Sequence, residues 1–184
     1  KMFARVERAV PQTGRISLDP DTHMSPASLD AAMRAVGAAC QGVDDLVSGK
    51  AEEVFCLTRP PGHHATPAHS MGFCIFNQIA IAALYAQQVH GLERVAIVDF
   101  DVHHGNGTQD CADGKPGLFY ISTHQSPHYP GTGHPEDNRD FNILNVPLPS
   151  GTDDPAYREQ FAAEILPALH AFKPRLLLVS AGFD

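Results

Sequence analysis

The densest group of reactive side chains lies at residues 99–107, which read D-F-D-V-H-H-G-N-G and follow an apolar run at residues 95–98. Alternate residues of an extended segment point to the same side, so Asp99, Asp101 and His103 are predicted to share one face. A carboxylate and an imidazole that converge at the C-terminal end of a parallel strand can provide half of a zinc site. A merely solvated loop is the simpler interpretation, but two aspartates, two histidines and a Gly-x-Gly turn argue against it.

A second group of histidines lies within the sequence R-P-P-G-H-H at residues 59–64. The sequence G-F-C follows at residues 72–74. Adjacent histidines after a Pro-Pro-Gly turn are costly to bury and offer no packing advantage. A role in the hydrophobic core is therefore not expected for His63 and His64, although exposed loop histidines remain an alternative.

A third segment, L-L-L-V-S-A-G-F-D at residues 176–184, is an apolar strand that ends in an aspartate. Two strand ends could then supply Asp101, His103 and Asp184 to one metal and leave a position for water. That arrangement is typical of a catalytic zinc, although carboxylate-rich sites also suit other divalent metals.

Taken together, these motifs resemble the zinc-dependent histone deacetylase family. The shared segments run from about residue 19 to residue 184 and are R-P-P-G-H-H, G-F-C, D-F-D-V-H-H-G-N-G-T-Q-D, P-G-T-G and S-A-G-F-D. The class II group and its bacterial relatives, including acetylpolyamine amidohydrolases, are the most similar branch. The resemblance implies an α/β, arginase/deacetylase-like fold, with a central parallel sheet flanked by helices and an active site at the strand C-terminal ends.

The resemblance also implies a role for each motif residue. The zinc ligands would be Asp101, His103 and Asp184. The catalytic residues would be the tandem histidines, acting as general base and general acid, and their orienting partners: His63, His64, Asp99 and Asn106. A carboxylate favours an imidazolium whereas an amide supplies no charge, so the two histidines are predicted to titrate differently.

A narrow channel for an acyl-lysine stem is implied beside this centre, with Asp21, Gly72, Phe73 and Tyr129 as its substrate-binding residues. Tyr129 departs from the family pattern, which usually has Phe there, and adds a hydroxyl at the lip. Core packing is a competing interpretation of both aromatic residues. A potassium site built largely from backbone carbonyls is implied at Asp99, Asp101, His103, Ser122 and Thr123.

The resulting functional prediction is a zinc-dependent deacetylase acting on acetyl-lysine peptides or proteins, or on a related acetylated amine. An acetylpolyamine deacetylase would use the same chemistry. A weakly catalytic acyl-lysine-binding module is the third alternative, since the family's oxyanion-stabilising Tyr lies downstream of the A-G-F-D motif. Arginase-like chemistry shares the fold, but it needs a second metal and an Asp/His set that the His63–His64 pair does not match.

Composition restricts the class of protein further. The 184 residues suit a single catalytic domain, 1–184, which we expect to be incomplete at both ends. The net charge of −8 argues against direct nucleic-acid binding, and there is no apolar run long enough for a membrane span. Four widely spaced cysteines are predicted to be reduced core thiols of a cytoplasmic protein. Homo-oligomerisation is left open.

Hydrophobic periodicity predicts alternating strands and helices, which is typical of a parallel sheet. Strands are predicted at residues 54–57, 95–100, 118–123, 142–148 and 176–180. Helices are predicted after Ser25, with Leu29, Met33, Val36 and Val47 on the apolar face, and at residues 77–90 and 154–172. Pro167 is expected to kink or break the last helix.

Overall fold

The structure is a computed structural model that describes residues 1–183. Asp184 therefore lies outside the described residues. The elements are, in chain order, α1 (Met2–Ala9), β1 (Ile16–Asp19), β2 (Thr22–Met24), α2 (Ser28–Val47), α3 (Gln78–His90), β3 (Val95–Asp99), α4 (Asn106–Ala112), β4 (Leu118–Gln125), β5 (Ile143–Leu148), α5 (Asp154–Gln160), α6 (Leu166–Phe172) and β6 (Leu176–Ser180). A 3-10 turn occupies Pro135–Asp137, and a π-helical turn, Phe161–Ile165, joins α5 to α6.

The centre of the fold is a parallel sheet of four strands in the order β5-β4-β3-β6. All five residues of β3 are buried, which explains why its sequence is continuously apolar until Asp99. Because the strands are parallel, their C-terminal ends meet at one edge of the sheet. The predicted α/β fold class is therefore confirmed, and this edge is where the polar motifs emerge.

Helices cover both faces of the sheet. On one face α2 and α3 pack against inward side chains such as Ile97 and Tyr120. On the opposite face the helical segment from α5 to α6 packs against Ala96, Val98 and Ile121. Successive strand residues therefore contribute to different cores, and the two layers hold β3 rigidly in the middle.

The hairpin formed by β1 and β2 lies apart from the main sheet and packs with α1 and α2 in a third apolar cluster. Met24 of β2 is completely buried there beside Ile75 and Phe76. This packing matters for function because it ties the hairpin to the segment that follows the tandem histidines.

The predicted strand at residues 54–57 is wrong. The segment is not assigned to a strand, and Phe55 and Leu57 are 68% and 86% exposed. The prediction rested on the local apolar sequence. A strand also requires a hydrogen-bonding neighbour, and the described residues provide none at this position.

Two helix predictions also need correction. Helix α2 begins at Ser28 rather than just after Ser25, and it buries Ala32 and Ala35 while Met33 and Val47 stay partly exposed. The helix predicted at residues 154–172 is divided by the π-helical turn, and Pro167 does not end it, because α6 runs from Leu166 to Phe172. A π-helical turn directly precedes this proline, which is a known way for a helix to accommodate a missing N–H donor.

Candidate active site

A cavity of about 490 Å³ opens at the C-terminal edge of the sheet. Its walls combine carboxylate, imidazole and aromatic groups: Asp21, Pro61, His63, His64, Gly72, Phe73, Asp101, His103, Tyr129 and Phe183. A second cavity of about 320 Å³ lies between α1, α2 and α3 and is lined mainly by apolar side chains. Acid–base chemistry is therefore expected in the first cavity.

Asp99 ends the central strand and lies behind the cavity wall, completely buried. Its Oδ2 accepts hydrogen bonds from Nδ1 of His63 (3.0 Å) and from the hydroxyl of Tyr120 (3.3 Å). Its Oδ1 accepts from the Asp101 backbone N–H at 3.2 Å. Burial raises the pKa of Asp99, while the hydrogen bond from His63 acts in the opposite direction. Asp99 thus serves the site through His63 rather than by facing the cavity.

The turn after β3 brings Asp101 and His103 to the cavity floor. The Asp101 carboxylate accepts from the His103 backbone N–H at 2.8 Å, and the same oxygen lies 3.1 Å from Nδ1 of His103. The other carboxylate oxygen of Asp101 lies 3.8 Å from Nε2 of His63. A carboxylate and two imidazoles therefore converge on one point.

The tandem histidines lie side by side, with ring centroids 4.0 Å apart. Nδ1 of His64 lies 2.8 Å from Oδ1 of Asn106, at the start of α4. Because an amide oxygen can only accept, the His64 Nδ1 carries the proton and Nε2 is the accepting nitrogen. Burial, reinforced by the neighbouring His63, lowers the pKa of His64 to about 4, so this ring is neutral at pH 7.

The donor set fits a divalent metal in its chemistry. Asp101 supplies oxygen and His103 supplies nitrogen, both of which zinc accepts. Within residues 1–183 there is no complete group of three His, Cys, Asp or Glu side chains with metal-binding geometry. The third predicted ligand, Asp184, lies outside the described residues.

The predicted channel residues surround the mouth of the same cavity. Phe73 and Tyr129 are 65% and 39% exposed, so the core-packing interpretation of these aromatic residues is wrong. The Tyr129 ring stands edge-on to His64, with centroids 5.1 Å apart. Asp21 lies on the rim, where its Oδ1 accepts from the Gly72 backbone N–H at 3.1 Å.

The residues of the predicted potassium site are neighbours at the same strand ends. Asp99 of β3 pairs in register with Ser122 of β4, and Thr123 follows. The Ser122 hydroxyl bonds with His124 and the Thr123 hydroxyl bonds with Tyr157, each at 3.0 Å. Because the hydroxyls of Ser122 and Thr123 already form hydrogen bonds, the backbone carbonyls are the main groups that could bind a cation here.

Sequence reasoning did not identify several residues that support the site. Tyr120 bonds both Asp99 and the Gly105 backbone N–H. The ring of His128 stacks on that of His103, with centroids 4.8 Å apart and an interplanar angle of 22°. A tyrosine in a buried strand and a histidine in a proline-rich loop have no local pattern that indicates such contacts.

Two buried histidines hold the loop that carries Tyr129. His104 lies 2.8 Å from the hydroxyl of Thr132, and His124 donates to the Gly133 carbonyl at 3.0 Å. Gly133 has φ +83°, and a Cβ there would collide with both rings. Packing against these two rings therefore requires a glycine at the last position of the P-G-T-G motif.

Gly107 gives a stability prediction for the site's framework. A Cβ at this position would collide with the backbone of His64 and Ala65, which cannot move without shifting the tandem histidines. Gly107→Ala is expected to lower the free energy of unfolding by about 1–3 kcal/mol. The free energy is measured by urea denaturation.

The matched control is Gly37→Ala, an exposed position in α2 where a Cβ meets nothing within 4 Å. That change should raise stability by about 0.5–1 kcal/mol, because alanine is a better helix former than glycine. Equal effects of the two substitutions would contradict the packing role of Gly107.

The four cysteines of the described chain carry free thiols. Cys74 is completely buried, but Cys56 is exposed, so the predicted core position is wrong for Cys56. Burial raises the pKa of the Cys74 thiol to about 12. Among the described residues, none of the helices has the length and apolarity needed to span a bilayer.

Residues 2–184 match the model of the histone deacetylase domain. An uncharacterised Synechocystis protein is 53% identical over 174 residues, which cover 94% of this chain and 57% of the relative. The chloroplastic histone deacetylase 14 of Arabidopsis thaliana is 45% identical over 172 residues, covering 89% and 41%. The histone deacetylase-like amidohydrolase of Pseudomonas aeruginosa is 42% identical over 183 residues, covering 96% and 48%.

The crystal structure of the HDA15 HD domain superposes with a TM-score of 0.93 at 38% sequence identity. The match covers all of this chain and 53% of that one. The chain thus spans about half the length of the proteins it resembles.

Proposed function

Because this chain belongs to the histone deacetylase family, we propose that it forms part of a metal-dependent amidohydrolase that removes acetyl or other acyl groups from acetyl-lysine or a related acetylated amine. One observation carries the proposal. Two histidines, held through Nδ1 by different partners, share a cavity with Asp101 and His103. Groups that can transfer protons therefore lie beside groups that can bind a metal.

The proposed metal is zinc, although another divalent ion that accepts oxygen and nitrogen ligands would suit the same residues. Asp101, His103 and Asp184 would hold it. Gly182, two residues before Asp184, lies directly against the Asp101 carboxylate, which supports this ligand set. A zinc ion would supply Lewis-acid activation of a water molecule and of the amide carbonyl.

The two histidines would divide the proton transfers. His63 is the proposed general base, because the Asp99 carboxylate at its Nδ1 stabilises the imidazolium that forms when Nε2 accepts a proton. His64 is the proposed acid. Its Nε2 carries no proton in the resting ring, so it would take up during turnover the proton that His63 removes from water, and would pass that proton to the leaving amine. Its Asn106 partner fixes the ring through Nδ1 and keeps Nε2 directed to the chemistry without adding charge.

The cavity mouth supports a substrate with a slim, unbranched stem. Phe73 and Tyr129 offer aromatic surface, while Asp21 and Gly72 lie on the rim where a peptide backbone would approach. A potassium ion bound at the carbonyls of Asp99, Asp101, His103, Ser122 and Thr123 would stabilise the adjacent turn. We also predict an intracellular location and one catalytic domain over residues 1–184, and homo-oligomerisation is left open.

Substrate class is tested on the full-length protein by comparing turnover of an acetyl-lysine peptide with that of acetylputrescine. We expect the peptide to be hydrolysed, with the deacetylated peptide and acetate as products, because the cavity has both proton-transfer groups and a rim carboxylate. Mass spectrometry of the peptide and an enzymatic acetate assay measure the two products independently.

The alternatives give different results in the same experiment. Efficient turnover of acetylputrescine alone would favour the acetylpolyamine deacetylase. Binding of the acetylated peptide without hydrolysis, seen by fluorescence anisotropy, would favour an acyl-lysine-binding module. Neither binding nor turnover of acetylated amines would contradict the proposed function.

A further inference from the structure

The segment that carries Phe73 has an unusual backbone conformation. Met71 and Cys74 exchange two backbone hydrogen bonds, of 3.2 and 2.9 Å, so Gly72 and Phe73 are the central residues of a two-residue hairpin turn. Both have positive φ, 55° and 63°. Such turns favour glycine or asparagine, and a phenylalanine at positive φ costs on the order of 1–3 kcal/mol.

This conformation directs the Phe73 ring into the cavity mouth, where it is 65% exposed. The turn itself packs against the catalytic pair, because a Cβ on Gly72 would collide with the His64 ring. The strained turn thus fixes the distance between the aromatic wall and His64.

The strained turn is held from outside by the β1–β2 hairpin, some fifty residues earlier. The Phe73 backbone N–H donates to the Thr22 hydroxyl, and the Gly72 N–H donates to Oδ1 of Asp21, both at 3.1 Å. The Thr22 hydroxyl in turn donates to the same Asp21 oxygen at 2.9 Å. Both backbone donors of the turn are therefore satisfied by neighbouring residues of one hairpin.

Thr22 itself does not line the cavity. It is 1% exposed, and its hydroxyl is hydrogen-bonded on both the donor and the acceptor side. A buried hydroxyl can have a purely structural role. Here, however, the Thr22 hydroxyl accepts a hydrogen bond from the backbone of Phe73, whose side chain forms part of the cavity wall.

We propose that Thr22 is a positioning residue for substrate selection: with Asp21, it clamps the Gly72–Phe73 turn and thereby sets the aromatic wall of the acyl-stem channel. The inference rests on the proposed function for its substrate. It states that the position of the Phe73 ring depends on the hydrogen bond between the Phe73 backbone N–H and the Thr22 hydroxyl.

Thr22→Val removes the hydroxyl at nearly constant volume, whereas Thr22→Ser keeps the hydroxyl and loses a methyl group. The aromatic wall would bind the substrate stem equally strongly in the ground state and in the transition state. Weakening that contact should therefore raise KM and leave kcat unchanged. We expect KM for the acetyl-lysine peptide to rise about five- to tenfold in Thr22→Val, as for the loss of one buried hydrogen bond. Thr22→Ser should stay within about twofold of wild type.

Two further measurements separate positioning from general stability. In a Phe73→Ala background, Thr22→Val should add no further increase in KM, because the ring on which it acts is absent. Independently of activity, hydrogen exchange of the Phe73 amide should accelerate in Thr22→Val and not in Thr22→Ser.

The proposed role of Thr22 would be contradicted if Thr22→Val left KM and the exchange rate of the Phe73 amide at wild-type values. It would also be contradicted if the substitution lowered the midpoint of unfolding and changed nothing else. Additive KM effects of Thr22→Val and Phe73→Ala would likewise contradict it. If the wild-type protein does not hydrolyse acetylated amines, the proposed function fails, but the exchange measurement still decides whether Thr22 holds the turn.

Discussion

Replacing Asp101 by alanine in the full-length protein is expected to abolish both metal retention and hydrolysis. Asp101 is central to the site, because its carboxylate contacts the His103 backbone and lies near both His103 and His63 side chains. Removing one ligand of a three-ligand site leaves too few donors to hold a catalytic metal. Metal content by inductively coupled plasma mass spectrometry should fall from about one equivalent to background.

The control is Asp140→Ala, which removes an exposed carboxylate from the same sequence region as the Tyr129 loop. This variant should keep its metal and its turnover rate. An Asp101→Ala protein that retained a full equivalent of zinc after dialysis would refute the ligand assignment.

Replacing His64 by alanine is expected to lower kcat by about 10²- to 10⁴-fold, which is the usual contribution of a positioned acid or base. The ring is buried, is held by Asn106 and lines the cavity, so no solvent group can replace it efficiently. Metal content should remain at the wild-type value, because His64 is not a proposed ligand. Steady-state kinetics and metal analysis of the same preparation measure both quantities.

His69→Ala provides the matched control, since this exposed histidine lies five residues further along the same loop. Its kcat should equal that of the wild type. A His64→Ala enzyme that worked at nearly the wild-type rate would exclude His64 from the proton transfers, whereas simultaneous loss of the metal would assign it a ligand role instead.

The main features of the fold were predictable because they depend on local patterns. The continuous apolar run ending at Asp99 indicated a strand covered on both faces, and β3 is buried along its whole length. Asn77 and Gly91 mark the ends of α3 through an N-cap hydrogen bond and a left-handed C-cap. Spacing alone also indicated that Asp101 and His103 would emerge together at the end of this strand.

Other features depend on distant contacts and could not be read from the sequence. Whether residues 54–57 form a strand depends on a neighbouring strand, which an apolar tetrapeptide does not specify. The roles of Thr22 and Tyr120 arise from hydrogen bonds to residues 51 and 21 positions away, respectively. Neither residue has a charge or a motif that indicates its partner, so tertiary structure alone reveals them.

Strand β6 has a consequence for the behaviour of this chain at high concentration. It hydrogen-bonds to β3, and none of the described residues forms a strand on its other side, while Leu177 and Val179 are each 48% exposed. An apolar strand edge of this kind is a template for intermolecular β-pairing, and hence for aggregation. Colloidal stability of the 184-residue chain in isolation will therefore depend on what covers β6, and purification at low concentration is the condition that suits it.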